Sequence, residues 1–148
     1  MGFDFKNGSN KEFRLNSSGW PEVMNLAIFF GWEPKGTYLQ YYSVRVPDGL
    51  DISDEEYIRK NQESWDGSYT DNEGQLVTEN DAFNLAFALM KAVKVLSDET
   101  LTEFFQTWCS FEHKNEKFVE IYNWSDEEHK NILKDFICFC MDGEFDIR

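Results

Sequence analysis

A chain of 148 residues is long enough to bury a core without disulfides or a structural metal, and it fits one domain spanning 1–148. Its 14 Phe, 6 Tyr and 5 Trp exclude a disordered reading, because so many large apolar rings need a dry interior. The formal net charge of −14 excludes the electrostatics of nucleic-acid binding, which rests on Lys and Arg displacing counterions, and disfavours an anionic membrane surface. A basic protein is the partner such a field attracts and steers, although acidity also serves solubility.

The first segment, FDFKNGSNKEFRL, alternates around the turn residues Asn7-Gly8-Ser9-Asn10, the pattern of a short hairpin. Its start carries no apolar run of the secretory kind, and Lys6 stands where a myristoylation motif needs Ser or Thr. Trp20, Val23, Met24, Ala27 and Ile28 follow helical spacing, with Pro21 suited to the first turn and Gly31 to the stop. β-forming residues bracketed by Pro and Gly predict an extended segment over 38–46.

Three capping boxes come next: Ser53 with Glu56, Thr78 with Asp81, and Ser125 with Glu128. Asp81 replaces the usual Glu or Gln, which makes its box the weakest. The run after Thr78, with Ala82, Phe83, Leu85, Ala86, Phe87, Leu89, Met90, Val93 and Leu96, is apolar on nearly every side and predicts a central helix. A helix from near Ser97 carries Leu101, Phe104, Phe105, Trp108 and Phe111 on one stripe, and a last helix carries Ile132, Leu133, Phe136, Ile137 and Cys140. KFVEIYNW, between them, suits strand or helix. The fold expected is mainly α, a single compact domain of four to five helices with a short N-terminal hairpin or strand as its minor β element. No apolar run approaches the roughly 20 residues that span a bilayer.

Chemical signals are few. Placing Gly74 at the glycine of a calcium loop puts Tyr69 and Asn80 where the first Asp and the bidentate Glu belong, and the Gly67 register begins on Gln62. Cys109 and His113 are four apart, the spacing of a nucleophile and its base, but no oxyanion donor or third ligand accompanies them. Cys138 and Cys140 point to opposite sides of a helix and both read as core-filling thiols. With no secretory signal, the three thiols are expected reduced in a cytoplasm. His129 follows SDEE, whose acids favour its protonation, and the acidic clusters DISDEE, SDET and SDEE all sit where a helix dipole favours them. No catalytic residue, metal site or cofactor is implied.

The stretch from Trp65 to Gln75 admits two readings. It is a well-made helix entry, or Trp20, Trp32, Thr37, Trp65, Tyr69, Asn72 and Gln75 wall a polar-aromatic cleft for a small molecule.

EFRLNSSGWPEVMNLAIFFGWEPKGT followed by WDGSYTDNEGQLVTENDAFNLAFAL resembles a family of small uncharacterised bacterial and phage-associated proteins. The matching positions are Phe13, Arg14, Trp20, Gly31, Trp32, Pro34, Gly36 and Thr37, then Trp65, Gly67, Tyr69, Asn72, Gly74, Gln75, Val77, Asp81, Ala82, Leu85 and Ala86. The resemblance covers the first two-thirds and stops near Thr100. It implies an intact fold of bacterial origin and carries over no activity. The function expected is a non-enzymatic acidic interaction module, in one form an immunity-type inhibitor of a basic toxin domain. The alternative is a small-molecule-binding protein or enzyme using the cleft.

Overall fold

The computed structural model describes residues 2–36, 69 and 75–148. The expected extended segment over 38–46, the Ser53–Glu56 box and most of the glycine-rich loop lie outside them. Among the described residues the chain is mainly α with a minor antiparallel sheet. The elements are β1 (Gly2–Asn7), β2 (Glu12–Asn16), α1 (Gly19–Phe29), β3 (Gln75–Val77), α2 (Glu79–Ser97), α3 (Glu99–Phe111), α4 (Asn115–Tyr122), α5 (Glu127–Met141) and β4 (Phe145–Ile147).

The N-terminal hairpin forms as expected, pairing Phe5 with Phe13 and Phe3 with Leu15. Asn7 holds the turn: its side-chain oxygen accepts from the amides of Ser9 and Lys11, both at 3.0 Å. Two strands escaped the sequence reading. β4 pairs antiparallel with β1 and with β3, giving the order β2-β1-β4-β3. Each is three residues long, too short for periodicity to register. Phe5, Leu15, Val77, Phe145 and Ile147 face inward from the sheet. Phe5 meets Trp20 edge-on at 5.1 Å, Phe145 at 5.5 Å and Phe136 of α5 at 5.6 Å. This aromatic packing seats α1 and α5 on the sheet.

Helix α1 ends in a Schellman turn. Gly31 takes φ +100°, its amide donates to Ile28, and the Trp32 amide reaches back to Ala27 at 2.9 Å. Ile28, expected on the buried stripe, is 51% exposed, and Leu26 is buried in its place. The covered arc is rotated toward Leu26, so the stripe runs through Trp20, Val23, Leu26 and Ala27.

KFVEIYNW is helical over 117–122, within α4, and its last two residues turn out of the helix. Helix α2 is central in its packing, touching α1, α3 and α5, but it is not enclosed: Phe87 and Met90 are exposed. Helix α3 begins near Ser97 as expected, with Asp98 as its cap, whereas the cap of α5 shifts by one residue from the expected Ser125 to Asp126; the two carboxylates accept from the amides of Leu101 and His129. In each Ser-Asp pair the carboxylate takes the capping position. No helix among the described residues is long and apolar enough to cross a membrane.

Candidate functional site

Four of the seven residues singled out in the sequence are described: Trp20, Trp32, Tyr69 and Gln75. Thr37, Trp65 and Asn72 lie outside the described residues. The structure brings Trp20, Trp32 and Tyr69 together, and it adds Asp81. Trp20, in the first turn of α1, donates its indole N–H to the Tyr69 carbonyl at 2.7 Å. Trp32, placed by the Schellman turn, stacks on Tyr69 at 6.1 Å and donates to the Asp81 carbonyl at 3.1 Å. The Asp81 carboxylate accepts from the Tyr69 hydroxyl at 2.7 Å and from the amides of Gly36 and Lys35 at 2.8 and 3.1 Å.

Thr78 does cap Asp81 as the box predicts, at 3.2 Å. The Asp81 side chain, however, turns inward and is fully buried. It satisfies the chain after α1 rather than the start of α2. Sequence reasoning missed this role, and its one signal was the Asp standing where Glu or Gln is usual. Burial, then the bond to Asp81, raises the Tyr69 hydroxyl above its ordinary pKa. Trp20, Trp32, Tyr69 and Gln75 are all buried. Among the described residues no buried side-chain nitrogen or oxygen lacks a partner. The cluster is chemically satisfied, and what it does is brace α1 against α2.

Cys109 and His113 do not form a working pair. Cys109 is buried, and burial pushes its thiol up. His113 sits beyond the helix end at φ 58°, closing a second Schellman turn in which the Lys114 amide donates to the Cys109 carbonyl. Cys138 is exposed, which corrects its core assignment, whereas Cys140 is buried with its thiol raised by desolvation. Asp126 pairs with His129 at 2.6 Å, and the His129 backbone amide first, its ring second, holds the Asp126 carboxyl below the usual range. Among the described residues no group of three or more His, Cys, Asp or Glu is placed to hold a metal.

The surface feature that stands out is on α3. Its aromatic stripe divides: Phe105 is partly buried, but Phe104 and Phe111 are 70% and 82% exposed, and Trp108 is 45% exposed. Phe105 anchors the group, touching Phe29 at 5.5 Å, Phe30 at 5.7 Å and Phe118 of α4 at 5.6 Å. Tyr122, stacked on Phe118 at 5.5 Å, continues the group along α4, and Ile28 of α1 and Val119 of α4 are exposed as well. Exposed Glu99, Glu103, Glu112, Glu116 and Glu120 lie on the same two helices and their connection. The Lys114 ammonium lies 5.0 Å from the centre of the Trp108 ring, so this surface already holds one cation.

No protein-family model, curated protein or solved structure matches the chain.

Proposed function

We propose that this chain is a non-enzymatic acidic interaction module that binds a basic protein, with an immunity-type inhibitor of a bacterial cationic toxin domain as its concrete form. The observation that carries the reading is the exposed aromatic face of α3 and α4, interspersed with glutamates in a chain of net charge −14. Contiguous exposed apolar surface on a monomer marks a place that another molecule covers. Trp and Phe supply the burial that anchors an interface, and the surrounding carboxylates steer a cationic partner and fix its register. Trp20, Trp32, Tyr69 and Gln75, buried and hydrogen-bonded, lend no support to the alternative of a small-molecule cleft.

The test is capture from bacterial lysate at low salt, elution with a salt step, and identification of what is released. A basic protein released by salt is expected. Phe104→Ala or Phe111→Ala, the two most exposed rings of the face, should weaken its binding by roughly thirtyfold, the loss of one anchoring side chain, while leaving the melting temperature nearly unchanged. Binding that half-molar salt and both substitutions leave intact would refute the reading.

A further inference from the structure

Helices α1 and α4 enclose a cleft of about 320 Å³, separate from the braced Asp81 cluster. Its floor is apolar, made by buried Leu26, Ile121 and Trp124. Its rim is polar: carboxylates of Glu22 and Glu120, and the amides of Asn25 and Asn123. We infer that this cleft receives one guanidinium group, the arginine side chain of a basic partner, held between Glu22 and Glu120 over the Trp124 floor. The inference rests on the interaction reading above and names the chemistry of its contact.

Size comes first. Small-ligand sites run from about 300 to 1,000 Å³, so this cleft lies at the small end of that range and has room for one arginine side chain. Charge comes second. The one cation lining it, Lys117, is already engaged, its ammonium 3.1 Å from Glu120. Glu22 makes no ion pair with a described residue, so an arriving cation finds a carboxylate ready, whereas an anion would meet two carboxylates beside a single ammonium that is already engaged. Geometry comes third. Planar guanidinium carries five N–H donors, which suit two carboxylates and two amide carbonyls around a rim, and its flat face suits an aromatic floor.

Position links the cleft to the aromatic face. Helix α4 gives Lys117, Glu120 and Ile121 to the cleft and Phe118 and Tyr122 to the aromatic group. Helix α1 gives Glu22 and Leu26 to one and Phe29 to the other. A partner seated on the aromatic face therefore reaches the cleft without a second docking event. Lys117 acts meanwhile as a resident competitor for Glu120.

The experiment titrates Nα-acetyl-arginine methylamide into the full chain and follows the Trp124 indole N–H by NMR. A saturable shift is expected. Glu22→Gln should weaken binding roughly two- to fivefold, the range of one exposed ion pair, and Lys117→Met should tighten it by a similar factor. Lys91→Met makes the same change in net charge on α2, away from the cleft, and should leave binding as it is. A shift that never saturates, or an equal response to Lys117→Met and Lys91→Met, overturns the inference. Equal binding of the lysine analogue overturns the guanidinium assignment. If the probe fails while lysate capture yields a salt-released basic protein, the cleft assignment falls alone. If the probe binds and capture yields nothing, it is the interaction reading that falls.

Discussion

Tyr69→Phe tests the brace most directly. The hydroxyl donates to a fully buried carboxylate at 2.7 Å, and Thr78 hydrogen-bonds to the same oxygen. A net contribution of about 1.5–3 kcal/mol is typical of a hydrogen bond to a charged group. For a domain of this size each kcal/mol moves the melting temperature by about 2–4 °C, so a fall of roughly 3–12 °C is expected. Asp81→Asn should cost more. It keeps the shape but turns one acceptor into a donor, which then faces the amide of Gly36 or Lys35, and the unsatisfied buried donor costs about 1–3 kcal/mol on top of the weakened bonds that remain. Because the two side chains are in direct contact, the losses should not add, and the double variant should lose less than the sum by about 0.5–3 kcal/mol. Urea unfolding of the parent chain, both single variants and the double variant, followed by circular dichroism, measures all of it. Strict additivity, or a Tyr69→Phe loss below about 0.5 kcal/mol, the scale of an ordinary surface change, would refute the coupling.

Alkaline pH should destabilise the fold in two stages. Buried Cys109 and Cys140 keep their protons to higher pH than the unfolded chain does, so stability is full below about pH 9 and falls above it. Tyr69 adds a further fall of about 1.4 kcal/mol per pH unit above pH 10, until its raised folded value is reached. Urea midpoints from pH 8 to 11 should show the upper stage disappearing in Tyr69→Phe. His113→Gly relieves a left-handed backbone at an exposed helix end and should stabilise by about 1 kcal/mol, read as a higher urea midpoint. Of the three cysteines, only exposed Cys138 should react rapidly with a thiol reagent in the native protein, and all three should react in denaturant.

What was legible in the sequence was local. Asn7-Gly8-Ser9-Asn10 announced its hairpin because the turn is specified by the residues that make it. Gly31 announced the end of α1 because only a left-handed position closes that turn cheaply. Asp81 was legible as a capping acid and illegible as the centre of a cluster, since Gly36 and Tyr69 reach it from distant parts of the chain. β3 and β4 draw their identity from each other and from β1, not from their own three residues. The stripe on α3 obeyed helical periodicity, but periodicity reports that apolar residues share a face and is silent about what the face meets. Phe104 and Phe111 meet solvent. For the candidate site the same division holds: the tryptophans and Tyr69 could be named, but their burial could not.

The place of β4 in the sheet has a kinetic consequence. It lies between β1 and β3, and its partner β1 is at the far end of the described sequence. The helical turns of α1 to α5 can form from neighbours in sequence, whereas this strand pairing requires nearly the entire described chain to be gathered first. Closure of the sheet is therefore expected to come late, after the barrier has been crossed. Trimming a methyl group from Ile147 should then accelerate unfolding and leave the refolding rate almost untouched; slowed refolding would instead place β4 in the folding nucleus.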